Sequence, residues 1–218
     1  MEISWFGLSC FRITERNVAV VVTDPFDASI GYSVPRLKSD IVTVSHDAAG
    51  HNNIGMVKGA RAITGPGEYE MNGVFITGVQ TVAYKTGKKG ASDKTAGKNT
   101  SYVFGYDGVT VCHLGDLCAI PSQSEVEALG TVGVLLVPVG GGGGLNANQA
   151  AEVISLIDPS IVIPMHYKTP QTKLKLDPLS KFLKEMGSGK VEAHESVRIA
   201  KSDLPDETQV IVLDVKGS

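Results

Sequence analysis

Short apolar runs separated by polar or small residues open the chain, and this alternation predicts strands at Ile3 to Phe6, Phe11 to Thr14 and Val18 to Thr23. Ile41 to Ser45 is β-branched and apolar, the pattern of a strand buried on both faces. Arg61 to Thr64, Val74 to Tyr84, Thr100 to Tyr106 and Val109 to Cys112 continue the series. Asp107-Gly108 between Tyr106 and Val109 predicts a tight hairpin. Past Asp116 the pattern changes to helix alternating with strand. Ser122 with Glu125, and Asn146 with Gln149, are capping boxes that predict helix starts, the first helix closing at Gly130 and the second running to about Ile157. Val132 to Val139 and Ile161 to Met165 predict strands, Asp177, Pro178 and Gly187 mark the cap, first turn and end of a third helix, and Gln209 to Val215 predicts a last strand. A strand-rich front and a β-α-β back fit two sheets packed together with helices on their outer faces. No linker divides the chain, so one domain over residues 1–218 is expected. The segment Tyr84 to Lys98, with five lysines against one aspartate, reads as a surface loop within it.

Composition narrows the class. The 218 residues are 42% hydrophobic and 20% charged with a formal net charge of -3, enough to bury a core and no advertisement for nucleic acid. No apolar run reaches the roughly 20 residues that span a bilayer, and the first residues lack a signal-peptide pattern. Cys10, Cys112 and Cys118 form no C-x-x-C pair, so a cytoplasmic protein without disulfides is expected.

Four of the five histidines carry the chemistry. His46 follows the Ile41 to Ser45 run, His51 lies in the loop beyond, His113 ends the run from Val109, and His166 follows Ile161 to Met165. Asp116 stands three residues after His113. Strand ends in layered α/β proteins are where loops converge on a site, and imidazole with carboxylate suits zinc and related divalent ions. One such histidine alone is an ordinary polar group. Together they predict a metal cluster, with His194 left as a surface residue.

At these positions the chain resembles the metallo-β-lactamase superfamily, and in particular its branch of metal-dependent hydrolases that includes L-ascorbate-6-phosphate lactonase. The matching segments are W-F-G-L-S-C-F (5–11), T-D-P-F (23–26), S-H-D-A-A-G-H-N (45–52), G-P-G-E-Y-E (65–70), G-K-N-T (97–100), H-L-G-D-L (113–117), P-V-G-G (138–141) and P-M-H-Y (164–167), in the family's order. The resemblance implies an αββα sandwich, two mixed sheets face to face with helices on both outer faces. It also implies attack of a metal-held hydroxide on a lactone, ester or phosphoester. By the same resemblance His46, His113 and Asp116 serve one ion, His51, Asp116 and His166 a second, and Asp116 is the bridging carboxylate and the candidate catalytic residue. Asp24 in T-D-P-F either accepts the other ring N–H of a ligand histidine or caps the following turn.

The family motif H-x-H-x-D-H is incomplete here. Ala48 stands at its second histidine and Gly50 at its aspartate, while Leu8 and Ala83 replace histidines usual in neighbouring segments. The five remaining ligands suit one divalent ion, zinc or manganese, rather than two, held either by His51, Asp116 and His166 or by His46, His113 and Asp116. Asp47 is expected to point away from His46, and Cys118 is a weak candidate for a soft ligand. Gly140 to Gly144 either offers N–H groups to an anion or is a plain loop. Lys85, Lys88, Lys89, Lys94 and Lys98 either steer an anionic substrate or are solvated. Two functions stay open at this point: a metal-dependent hydrolase with a reduced site acting on a small molecule, and an inactive relative that binds a small molecule or a partner. Nucleic acid and membrane are not expected as partners.

Overall fold

A computed structural model describes residues 1–84, 96–106 and 108–217. Two mixed sheets form the sandwich. The first has six strands in the order Val197–Arg198, Glu2–Gly7, Cys10–Thr14, Val21–Thr23, Ile41–Thr43 and Arg61–Ile63. The second has seven, in the order Gln209–Val210, Ile161–Met165, Val134–Pro138, Val109–His113, Ala96–Tyr106, Val74–Tyr84 and Gly67–Met71. In each sheet an antiparallel part joins a parallel part.

Side-chain alternation explains why the first sheet is apolar on both faces. Val21 and Ile41 point into the core between the sheets, with Ile3, Trp5, Phe11 and Ile13. Their neighbours Val22 and Val42 point the other way, into a second cluster with Phe6, Leu8, Cys10, Phe26, Ile30 and Tyr32.

The helices are shared unequally. α1 (Gln123–Leu129) touches the strand Val74–Tyr84, α2 (Ala147–Ile157) touches Val134–Pro138, and α3 (Leu179–Glu185) packs on α2. Both expected capping boxes close as read, at Ser122 with Glu125 and at Asn146 with Gln149. Over the outer face of the six-stranded sheet the crossovers run instead through single 3-10 turns, Ala28–Ile30 and Ile54–Met56, whose Ile30 and Met56 join the second cluster. Pro25, Gly31 and Pro35 interrupt the first of these crossovers, which is reason enough for it not to form a helix.

Some boundaries move. The strand expected to begin at Thr100 begins at Ala96 and pairs with Val74–Tyr84, so Lys98 lies in a strand opposite Val82. Lys85, Lys88, Lys89 and Lys94 lie outside the described residues, as does Asp107. Tyr106 nonetheless faces Val109 across the hairpin, with Gly108 at φ +75°. The last expected strand is two. Gln209–Val210 pairs with Ile161–Met165, and Val212–Leu213 pairs with Ala193–His194. The N-cap of α3 is Pro178, and Asp177 instead forms an ion pair with Lys181. Gly67–Met71, an edge strand with a mostly exposed pattern, carries too little hydrophobic alternation to have been read from sequence. No helix among the described residues is long and apolar enough to cross a membrane.

Candidate metal centre

The site forms where parallel strands of the two sheets end. Asp24 follows Val21–Thr23, His46 lies beyond Ile41–Thr43, Asp116 lies beyond Val109–His113, and His166 follows Ile161–Met165. Backbone amides emerging from strand ends are free to turn, and three of the turns here are left-handed at non-glycine residues: Leu8 at φ +49°, Asp24 at +38° and His166 at +54°. Such conformations cost about 1–3 kcal/mol each and persist only when their surroundings hold them. The holding groups are visible. The Leu8 carbonyl accepts from the His166 N–H at 3.0 Å and from the Trp5 indole at 3.1 Å. The Asp24 N–H donates to the Thr43 carbonyl at 2.9 Å.

Asp24 is wholly buried and organises two histidines. Its Oδ1 accepts the Ser45 backbone N–H at 2.8 Å. Its Oδ2 accepts His51 Nδ1–H at 2.8 Å and the Ser45 hydroxyl at 2.5 Å. Because that hydroxyl donates to Asp24, its lone pair is left for His46 Nδ1–H, 3.1 Å away. This network assigns the Nδ1–H tautomer to both rings and leaves both Nε2 lone pairs facing the cleft. Burial favours the neutral acid of Asp24, but the hydrogen bond from His51 and the charges of His113 and His51 outweigh it and hold the carboxyl at about 2. Burial likewise opposes the His51 cation, yet its bond to Asp24 raises His51 above the usual imidazole range. Burial together with neighbouring His51 holds His46 down, to about 4. Burial lowers His166 as well.

Donor atoms of His46, His51 and Asp116 all lie within 4.8 Å of one another. The two carboxylate oxygens of Asp116 face different rings: Oδ2 is 4.0 Å from His46 Nε2, and Oδ1 is 3.6 Å from His166 Nε2. The His46 and His51 rings are 4.3 Å apart, and His51 stacks on His166 at 5.6 Å. This grouping takes one imidazole from each of the two ligand sets that the resemblance implies.

His113 stands apart from the cluster, contrary to its expected place as a ligand. Its Nε2–H donates to the Ser9 carbonyl at 2.8 Å, and its Nδ1 accepts the Gly115 N–H at 3.2 Å. Both nitrogens are spent on backbone, and the ring meets Phe11 edge-on inside the sandwich. Burial lowers its basicity, in keeping with a neutral structural imidazole.

The residue that holds Asp116 is Asn99, quoted within G-K-N-T but given no role by sequence. Its Oδ1 accepts the Asp116 N–H at 3.1 Å, while its Nδ2 donates to Thr81 Oγ1 and the Leu114 carbonyl at 2.7 and 2.9 Å. Gly115, at φ +63°, permits this packing, since a Cβ there would stand 2.5 Å from both Asn99 Oδ1 and Ser45 Cβ. A lone glycine in a motif is the only sequence signal that could have pointed to it.

The glycine-rich loop packs against the carboxylate. The N–H groups of Gly140, Gly141 and Gly144 are bonded to the carbonyls of His166, Leu145 and Gly141. A Cβ at Gly144 would lie 2.5 Å from Asp116 Oδ1, so the absence of a side chain lets the carboxylate sit there. Asp47 is exposed and accepts from the Asn52 amide. The three cysteines are buried and form no disulfide. Ala83 is buried and lines a neighbouring cavity with Ser45, His46 and Lys98. His194 is exposed.

The residues fit a divalent cation. Asp116 Oδ1 is buried with no hydrogen-bond partner, as is His166 Nδ1 on the neighbouring ring. At 3.6–4.0 Å the carboxylate–imidazole separations are too long for hydrogen bonds. They suit atoms sharing an ion, since bonds of about 2.1 Å at a tetrahedral angle place ligands about 3.4 Å apart. The cluster lines a cleft of about 670 Å³ with Leu8, Ile30, Leu174, Lys175 and Leu176.

Residues 2–166 match the family model described as the beta-lactamase superfamily domain. The chain is 28% identical over 187 residues to a UPF0173 protein of Pyrococcus furiosus, covering 78% of this chain and 84% of that one. It is 32% identical over 127 residues to a UPF0173 metal-dependent hydrolase of Thermococcus kodakarensis, covering 58% of this chain and 51% of that one. Among solved structures it is similar to a provisionally assigned Zn-dependent hydrolase of the metallo-beta-lactamase superfamily from Thermotoga maritima. That match has 37% identity and a TM-score of 0.76, over 97% of each chain.

Proposed function

The chain belongs to the metallo-β-lactamase superfamily, and from that premise we propose that it is a hydrolase of small molecules whose reduced centre works with one divalent ion, zinc or manganese. The observation that carries this reading is the buried, partnerless Oδ1 of Asp116, 3.6 Å from His166 Nε2, on a carboxylate grouped with His46 and His51. His46 and His51 would hold the ion through Nε2, Asp116 through its carboxylate and His166 from the far side of that carboxylate. A bound divalent ion acidifies water and polarises a carbonyl or phosphoryl oxygen at neutral pH.

The protein's own groups do the rest. Asp24 and Ser45 fix the two rings so that no reorganisation is needed when a ligand arrives. Leu8, Ile30, Leu174 and Leu176 give the cleft apolar walls, which strengthen polar contacts inside it by excluding water. Lys175 lines the same cleft and, among the described residues, has no ion-pair partner, so the favoured substrate is a lactone, ester or phosphoester that carries negative charge.

Metal analysis of protein purified without chelator, repeated after adding zinc or manganese, tests the proposal. About one ion per chain is the expected result. No ion under excess metal would overturn it and leave the reading of an inactive binding module.

A further inference from the structure

The cluster has one side without lone pairs. There the loop residues Ala48 and Gly50 and the side chains of Leu8 and Ile30 line the cleft next to His51 and His166. Leu8 is 1% exposed, although it belongs to the wall of an open cleft. Its Cδ2 lies 2.6 Å from where a Cβ on Gly50 would stand, and Ile30 Cγ2 lies 3.7 Å from that point. A Cβ at position 50 would therefore require the Leu8 side chain to shift, because its Cδ2 stands in the space that a side chain there would enter. The Leu8 side chain is buried in the second cluster with Phe6, Cys10, Phe26 and Ile30, so its rotation would need those neighbours to give, and the backbone that carries it is held in place. The Leu8 carbonyl is bonded to both Trp5 and His166, and its backbone is already left-handed.

The geometry points to Leu8 as the residue that limits this centre to a single ion. The inference rests on the proposed metal-binding function. Leu8 acts by occupancy: it fills with hydrocarbon the room that a ligand side chain at position 50 would enter. A carboxylate introduced at position 50 would meet methyl groups before it met a cation. Two neighbouring features, a leucine in a strained turn and a glycine in the ligand loop, are thus one packed unit.

The test compares ions per folded chain, by elemental analysis after zinc saturation and desalting, in wild type, Ala48→His/Gly50→Asp, and Leu8→Ala/Ala48→His/Gly50→Asp. The expected result is one ion in wild type, no gain in the double variant, and two ions in the triple variant. Two ions in wild type, or in the double variant with unchanged Tm, would overturn the role of Leu8, as would a folded triple variant that stays at one. Zero ions in wild type would instead reject the proposed function. The packing itself is read without metal from a double-mutant cycle. Gly50→Ala should lower Tm by several degrees beside Leu8 and by clearly less in a Leu8→Ala background. Strictly additive costs would overturn the inference whether or not the metal-site variants fold.

Discussion

Asp24 accepts a hydrogen bond from His51 at 2.8 Å inside the protein, and through the Ser45 hydroxyl the same carboxylate oxygen also orients His46. One acid therefore sets the tautomers of two rings. Asp24→Asn should weaken zinc binding by about 10–100-fold, the usual cost of removing such a support. Competition with a fluorescent chelator measures this, and unchanged affinity would contradict the arrangement.

Removing Asp116 should have opposite effects in the two forms of the protein. Its Oδ1 is buried without a partner, so Asp116→Asn should leave the metal-free Tm unchanged or raise it. The same change should abolish the rise in Tm that zinc gives the wild type. Thermal melts with and without chelator separate the two effects.

His113 gives a contrasting outcome. With both ring nitrogens on backbone, His113→Ala should cost about 2–3 kcal/mol, because the Ser9 carbonyl and Gly115 N–H lose their partners. The variant should still bind one ion per chain, whereas His51→Ala should bind none tightly. Loss of the ion from a folded His113→Ala protein would return that histidine to the ligand set.

Asn99→Ala should be damaging in both respects. It strips three hydrogen bonds from a buried position and frees the Asp116 backbone. A loss of about 3 kcal/mol in urea unfolding, with weaker zinc binding, is the expected result. A stable variant with full affinity would show that Asn99 holds nothing of consequence.

Stability of the metal-free protein should fall in acid in two stages. His46 titrates at about 4 in the folded chain against 6.5 when free, so the stability from its neutral form is complete above pH 6.5 and is lost as pH falls toward 4. Asp24 titrates at about 2 against 3.8, and its contribution disappears between those values. Each loss is on the order of 2–3 kcal/mol. His51, raised by Asp24, has the opposite sign: its contribution is present below pH 6.5 and is lost as pH rises through its folded value. Denaturation across pH 2–8 checks the sequence, with His46→Gln shrinking the upper stage, to which buried His113 and His166 contribute with the same sign.

Much of this was legible from residues. Strands such as Ile161–Met165 and both capping boxes are local patterns, and the structure keeps them. His46 and His166 share a position after apolar runs and lie in the structure beside Asp116, with His51 adjoining, but His113, which shares that position, lies elsewhere. What sequence could not show was what lies opposite. The exclusion of His113 depends on the Ser9 carbonyl, 104 residues away. The role of Asn99 depends on a backbone N–H 17 residues on. The split of the last strand depends on Ile161–Met165 and Ala193–His194 competing for the same segment. Over the six-stranded sheet the described crossovers coil only into 3-10 turns, the first of them interrupted by Pro25, Gly31 and Pro35.

The ligands come from opposite halves of the sandwich, His46 and His51 from loops of the six-stranded sheet and Asp116 and His166 from the seven-stranded one. The halves are stitched near the site by the Tyr102 hydroxyl, which reaches the carbonyls of Val44 and Ile63, and by the Thr100 N–H, which donates to the Ser45 carbonyl. The bite of the chelate is therefore a gap between two slabs, gauged by a phenol that is not itself a ligand. A change as slight as Tyr102→Phe would let those slabs creep, and the protein's grip on its ion would register the slip before its melting curve did.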